Sequence, residues 1–137
     1  MREIKFRAWH HTGVLSNPVG DMTYNPRFIE NEWWVYDKYS KGFVQTNCVE
    51  IMQYTGLHDR NGVEIYEGDW VRQQFVGGDG QNEVPLDDMI FEGIVLWDYS
   101  GWGIDSMGDG RAEVGIVNNS ILEVLGNKFE NPELKGA

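Results

Sequence analysis

The chain contains a single cysteine, Cys48, among its 137 residues. One thiol excludes an intramolecular disulfide, and the apolar neighbours of Cys48 predict a buried, unreactive side chain. The sequence also lacks any apolar run near the roughly 20 residues that cross a bilayer. Its first residues lack the apolar core of a signal peptide, so we expect a cytoplasmic protein.

Basic residues are scarce as well, with 11 Lys and Arg against 22 Asp and Glu, a net charge of −11. No basic residue lies between Gln73 and Gly110, whereas eight acidic residues do: Asp79, Glu83, Asp87, Asp88, Glu92, Asp98, Asp105 and Asp109. Because cations that neutralise phosphates provide much of the affinity for nucleic acids, this segment predicts no nucleic-acid partner. It favours a basic protein as partner. The alternative is a solvated acidic surface that aids solubility.

Motifs for a nucleophile, a phosphate or a metal are absent. No Gly-x-Ser-x-Gly is present, and the glycines of 77–80 lack the lysine of a phosphate-binding loop. A calcium loop counted from Asp59 would place Trp70 at the twelfth position, where a carboxylate is needed. His10 and His11 are adjacent, so on a strand they point to opposite faces and do not chelate one ion. We expect no catalytic residue, no cofactor and no metal.

Two pairs of carboxylates form the one pattern that resembles acid–base chemistry. Asp87 is next to Asp88, and Asp105 is close to Asp109. Hydrolysis by two carboxylates requires them to converge across a cleft, about 5 to 10 Å apart. Acidic residues scattered through loops do not predict such convergence, so a carboxylate hydrolase is a weakly supported alternative.

Aromatic residues and glycine are abundant. The chain has six each of Trp, Tyr and Phe, which fit half-buried strands, and 17 glycines, which favour tight turns. No segment shows the 3.6-residue period of an amphipathic helix. A mainly-β fold is therefore predicted.

Period-two alternation and turn residues place the strands. In the first part of the chain they are predicted at 3–9, 33–36, 43–45 and 48–54, with a hairpin between the second and third. Asp59 to Gly62 and Glu67 to Asp69 predict turns. Beyond them, strands are predicted at 69–76, 89–97, 101–104, 112–116 and 121–125, with a flexible loop from 77 to 88 and a bulge or bend at Gly93. Short strands at this spacing favour a small barrel.

Five tryptophans could lie either in the core or on the surface: Trp33, Trp34, Trp70, Trp97 and Trp102. Aromatics in a small β protein usually fill the core, whereas exposed ones can form a groove for extended peptides. Trp102 lies between glycines in an acidic stretch, so we expect it to be the exposed exception.

Three blocks of sequence resemble a known family. They are Arg2 to Trp9, the central segment from Met52 to Asp69, and the closing segment from Leu125 to Leu134. In this order they resemble the YopX-like phage and prophage proteins over nearly the whole chain. His10 and the 77–88 loop depart from the family pattern.

The resemblance implies a phage or prophage origin and two β subdomains that pack together. The first is an irregular N-terminal β subdomain over residues 1–56, and the second is an SH3-like barrel over residues 57–137. The resemblance implies no reaction.

The sequence thus favours a non-enzymatic accessory protein that acts through protein–protein contacts, as a homo-oligomer or with a basic host or phage protein. The alternative within this class is an acidic decoy for a basic or DNA-binding host protein. The predicted interaction surface comprises one tryptophan and five acidic residues: Trp102, Asp87, Asp88, Asp98, Asp105 and Asp109.

Overall fold

A computed structural model describes residues 4–10, 21–37, 41–46, 49–78, 84–98, 101–117 and 120–131. Every regular element in these ranges is a β-strand, which confirms the mainly-β prediction. The strands are β1 (Phe6–His10), β2 (Asp21–Tyr24), β3 (Arg27–Ile29), β4 (Glu32–Asp37), β5 (Gly42–Gln45), β6 (Val49–His58), β7 (Glu64–Tyr66), β8 (Asp69–Gly77), β9 (Val84–Asp98), β10 (Gly101–Asp105), β11 (Val114–Gly115) and β12 (Ser120–Asn127). The described part of the chain offers no helix of the length and apolarity that a membrane crossing requires.

The chain divides into two compact units, residues 1–54 and residues 55–137. In the first unit, β1 lies between β2 and the first part of β6, antiparallel to both. Successive residues of a strand point to opposite faces. Since Ala8 and Trp9 are both buried, both faces of β1 are covered. The strand predicted at 3–9 is confirmed over β1, but the charged face expected on it is not exposed, because Arg7 is buried as well.

A three-stranded antiparallel sheet, in the order β3-β4-β5, completes the first unit. The predicted β4–β5 hairpin is confirmed, with Val35 paired to Val44. β2 and β3 have no counterpart in the sequence prediction. The β3–β4 turn consists of Glu30 and Asn31, both with positive φ (54° and 65°). Two such residues match the backbone that a two-residue hairpin needs, although Glu30 is a residue that rarely adopts it.

The second unit is built on a five-stranded antiparallel sheet, in the order β11-β10-β9-β8-β12, that curls as a half-barrel. Its core contains five buried aliphatic residues: Ile65, Val71, Val95, Ile104 and Leu122. The turns predicted before β7 and before β8 are confirmed. The SH3-like closure that the family resemblance implies stays a prediction.

Gly93 allows the chain to approach itself closely. A Cβ at this position would collide with the main-chain carbonyl of Asp105. The β8–β9 register runs unbroken from the Trp70–Ile94 pair to the Gln74–Ile90 pair and shifts only before Val76. Of the bulge or bend predicted at Gly93, the bulge is therefore wrong, and the glycine allows the close approach of Asp105.

The loop predicted from 77 to 88 is too long. β8 ends at Gly77 and β9 begins at Val84, and these two residues are paired. β9 thus includes residues 84–88, and its first two residues, Val84 and Pro85, pair with Gly77 and Val76 at the end of β8. Residues 79–83 lie outside the described residues. The same is true of Cys48 and His11 and of the side chain of His10, on which the thiol and histidine predictions rest.

Candidate functional site

The net charge of the protein belongs to its second unit. Residues 55–137 contain 16 Asp and Glu against five Lys and Arg, a balance of −11, whereas residues 1–54 contain six of each and are neutral. A surface rich in one sign of charge attracts oppositely charged partners and repels others of its own sign. Electrostatic attraction for a basic partner therefore originates in residues 55–137.

An open cleft of about 690 Å³ lies on the second unit. Trp70, Ile94 and Leu96 line it. Because neighbouring strand residues alternate between faces, Trp70 lies on the opposite face from the core residue Val71. Trp70 and Ile94 are direct cross-strand partners, so they form one continuous apolar floor. Volumes of this size suit a side chain or a small ligand.

Charged side chains stand around this floor. Four of them line the cleft: Glu67, Glu92, Asp105 and Lys128. The Lys128 ammonium lies 5.1 Å from the centre of the Phe129 ring. Glu92 Oε1 lies 3.6 Å from Arg72 Nε, and both side chains are 40% exposed or more, so this pair contributes little to stability. With three carboxylates and one ammonium, the lining is negative.

One wall of the cleft is a loop, residues 106–110, that Asp105 holds in place. The Asp105 carboxylate accepts hydrogen bonds from the main-chain N–H of Gly108 (2.6 Å), Asp109 (3.2 Å) and Gly110 (2.8 Å). Gly108 and Gly110 adopt positive φ (76° and 83°), which glycine tolerates without a steric penalty. The Asp105 residue is only 8% exposed, so the wall is a built feature of the fold.

Asp105, Asp109 and Glu113 bring carboxylate oxygens within 4.8 Å of one another. Sequence reasoning did not predict this convergence of Asp105 with Asp109. All three carboxylates already accept main-chain hydrogen bonds, Asp109 from Arg111 and Glu113 from Ser106. The cluster therefore organises the loop, and we assign it no metal and no acid–base role.

The other predicted surface residues do not converge. Asp87 and Asp88 are exposed in the first half of β9, and Asp98 is its last residue. Ten residues of β9 separate Asp88 from Asp98, and Asp105 pairs with Ile94, six residues beyond Asp88. The carboxylates that the structure brings together are those of Asp105, Asp109 and Glu113, and Asp87, Asp88 and Asp98 are not among them.

Trp97, and not Trp102, is the exposed tryptophan of this β9–β10 pair. Trp102 packs partly buried against the core, and its indole Nε1 is buried. Trp97 is 54% exposed, and its ring meets Trp102 edge-on at 4.9 Å. The flanking glycines of Trp102 indicated exposure, but this ring packs against the core, while its cross-strand partner Trp97 is exposed. In the first unit, Trp33 contacts Phe28 at 4.9 Å.

Asp59 is a buried carboxylate whose role sequence reasoning missed. Oδ1 accepts the main-chain N–H of Asn61 (2.8 Å) and Val63 (2.9 Å), and Oδ2 accepts that of Val124 (3.0 Å). Burial acts to raise the pKa of Asp59, but these hydrogen bonds, together with His58, leave the pKa below its ordinary value. The turn motif signalled the contact with Asn61. The bond to Val124, 65 residues away, had no signal in the sequence.

Asp59 and its neighbour also close the outer edge of β12. The main-chain N–H of Arg60 donates to the carbonyl of Leu122 at 2.8 Å, beside the Val124 bond to Asp59. An open strand edge invites pairing with another chain. Here two of the edge groups that such pairing would use are already satisfied within the unit.

Comparison with known proteins extends the family resemblance. No curated protein matches the chain. Among solved structures, protein EF1440 from Enterococcus faecalis is similar, with a TM-score of 0.52 and 21% identity over 98% of this chain and 99% of that chain. At this identity the likeness shows a shared fold alone. The family described as YopX protein matches residues 5–134, and the chain therefore belongs to the YopX protein family.

Proposed function

We propose that this chain is a non-enzymatic phage or prophage accessory protein that acts in the bacterial cytoplasm by binding a basic protein through its second unit. The observation that carries the proposal is the segregation of charge, with −11 in residues 55–137 and a neutral balance in residues 1–54. Uniform acidity would only aid solubility. The difference between a neutral unit and a strongly negative one supports the negative unit as the binding part.

Electrostatics favours a protein over a nucleic acid as the partner of the second unit. Its exposed acidic residues include Asp87, Asp88, Glu92 and Asp109. They repel a phosphate backbone, whereas a positive protein surface gains both faster association and orientation. The proposed interface therefore depends strongly on salt.

Non-enzymatic action is supported by how the carboxylates are used. Asp105 and Asp59 each satisfy three main-chain N–H groups, so their charge supports loops and strand edges. Asp87 and Asp88 are exposed in the first half of β9, whereas Asp98 is its last residue. A general acid or base must reach the proton that it transfers. Carboxylates that are used by main-chain donors or exposed on the surface support a structural or electrostatic role instead.

Affinity capture tests the proposal. The full chain is immobilised and exposed to host lysate at about 50 mM and about 500 mM salt, since screening strengthens with ionic strength. We expect a basic protein to be retained at low salt and lost at high salt. The variant Asp88→Asn/Glu92→Gln reduces retention, whereas Glu30→Gln/Glu32→Gln, which removes the same charge from the neutral unit, does not.

The proposal is refuted if no basic protein is retained at low salt. It is also refuted if the amount of captured protein changes neither with salt nor with either variant. Competition with duplex DNA then separates the two versions of the proposal. A captured protein that DNA displaces has its DNA-binding surface occupied, which makes this chain a decoy. Light scattering of the chain alone tests self-association.

A further inference from the structure

We propose that the cleft of the second unit binds an arginine side chain of the basic partner. This inference rests on the proposed function and names the site through which it operates. The cleft combines an apolar floor, a negative rim and a wall held in place by internal hydrogen bonds. Arginine combines an apolar stem with a planar cation, and these two parts match the floor and the rim.

The floor suits the stem and the face of a guanidinium. Trp70, Ile94 and Leu96 present contiguous apolar surface on the outer face of the sheet. Long cationic side chains lay their methylenes along such surfaces while the charged head reaches polar groups. A guanidinium also stacks on an indole ring, which provides the strongest cation–π contact among the aromatic residues. Among the residues that the structure describes, Trp70 is the one aromatic that lines the cleft.

The rim offers carboxylates that a guanidinium can reach. Glu92 is exposed, and Arg72 already lies 3.6 Å from it, which shows that a guanidinium fits beside this carboxylate. That pair is solvent-exposed and easily exchanged. Lys128 also lines the cleft, and its ammonium lies over Phe129. The negative lining disfavours an anionic ligand such as phosphate.

The wall is organised before any partner arrives. Asp105 fixes the 106–110 loop through three main-chain donors, so binding does not have to order it. A preformed site loses less conformational entropy on binding and gains affinity accordingly. Met107, 77% exposed on this wall, is a flexible apolar side chain that can close over an aliphatic stem.

Fluorescence anisotropy with a labelled nonapeptide of alternating arginine and glycine tests the site at low salt. Glu92→Gln removes a rim carboxylate, and we expect about three- to fivefold weaker binding, in keeping with loss of an exposed ion pair. Asp88→Asn is the matched control. It removes one charge from an exposed residue of the same strand that does not line the cleft, and we expect less than about a twofold change, since an exposed charge at a distance is largely screened.

Nuclear magnetic resonance locates the peptide independently. We expect the indole N–H of Trp70, assigned with a Trp70→Phe variant, to shift on titration together with the amides of Gly108 and Gly110. A lysine–glycine nonapeptide should bind more weakly, because an ammonium neither stacks nor pairs in a bidentate manner. Equal affinity for the two peptides would overturn the choice of arginine.

The remaining outcomes separate this inference from the proposed function. If Glu92→Gln and Asp88→Asn weaken the peptide equally, binding is spread over the acidic surface. The cleft is then refuted while the proposed function stands. If the wild-type chain does not bind the arginine–glycine peptide but still captures a basic protein, the cleft is likewise refuted and the proposed function stands. A chain that captures no basic protein refutes the proposed function itself.

Discussion

Replacing Asp59 with asparagine removes one acceptor from a carboxylate that serves three main-chain donors. Both oxygens are occupied, because Oδ1 accepts from Asn61 and Val63 while Oδ2 accepts from Val124. Asparagine keeps the shape but has one oxygen and one NH₂ group. In either orientation of the asparagine amide, its NH₂ group faces at least one of these main-chain N–H groups. That main-chain donor is then left without an acceptor.

The cost follows from burial and charge. Asp59 is 7% exposed, so water does not readily replace the lost acceptor. Hydrogen bonds to charged groups contribute about 1.5–3 kcal/mol, and an unsatisfied buried donor costs about 1–3 kcal/mol. We expect Asp59→Asn to lower the free energy of unfolding by about 2–3 kcal/mol. For a unit of this size that corresponds to a fall in Tm of roughly 10–20 °C.

The pH dependence has a defined sign. The pKa of Asp59 is lower in the folded protein than its ordinary value. The carboxylate therefore contributes stability above its unfolded pKa of about 3.9, and this contribution is lost as the pH falls through the lower folded pKa. Between pH 7 and about pH 5 the contribution is fully present, because the carboxyl is ionised in both the folded and the unfolded chain. The asparagine variant should lack this acid-labile part of the stability.

Urea unfolding followed by circular dichroism measures the loss, and hydrogen exchange at the Val124 amide localises it. Asp88→Asn makes the same chemical change at an exposed strand position and should alter stability by less than about 0.5 kcal/mol. If the two variants unfold alike, or if Val124 exchange is unchanged in Asp59→Asn, the assignment of Asp59 as a buried acceptor is refuted.

Three further substitutions test the packing. Gly93→Ala places a methyl group against the main-chain carbonyl of Asp105, so we expect the free energy of unfolding in urea to fall by about 3 kcal/mol. The control Gly42→Ala has open space around its Cβ and should lower it by less than about 1 kcal/mol. Gln73→Met keeps the volume of a fully buried side chain but removes its hydrogen bonds to the 115–120 segment, and calorimetry should show a loss of about 2–4 kcal/mol; an unchanged Tm would contradict this role. Replacing Glu30-Asn31 by Asn-Gly supplies residues that favour the positive φ of both turn positions. We expect the free energy of unfolding of the first unit to rise by about 1 kcal/mol. An unchanged free energy would show that the turn is unstrained.

The strands were predictable where alternation and turn residues agreed. β4, β5 and β8 followed from apolar and aromatic runs bounded by turn signals. The turn from Asp59 to Gly62 followed from residues that tolerate positive φ. These signals are local, because each depends on neighbouring residues and the period of the backbone.

Strands without such signals were missed. β3 is exposed over its whole length and has no buried face to produce an alternating pattern. The start of β9 reads as a loop because Pro85, Asp87 and Asp88 disfavour strands. Pairing of Val84 with Gly77 overrides that preference, since the ladder supplies hydrogen bonds that local sequence does not encode.

The candidate site was predicted in part. Asp105 was singled out by charge, yet its place on the cleft depends on the register of β10 against β9. Glu92 appeared only as one of many acidic residues. Nothing in the sequence around Trp70 indicated that its side chain lies on the face of the sheet opposite the core. These residues come together only when the sheet sets which side chains share a face.

The amino-acid sequence alone determined the mainly-β class, the turns before β7 and β8 and the concentration of negative charge in one half of the chain, because each follows from residue type and spacing along the backbone. The tertiary structure decided which carboxylates are consumed by main-chain donors, which tryptophan is exposed and where an apolar floor meets an acidic rim. Those properties depend on contacts between residues far apart in the chain, such as Asp59 with Val124, and cross-strand register fixes such contacts only after folding.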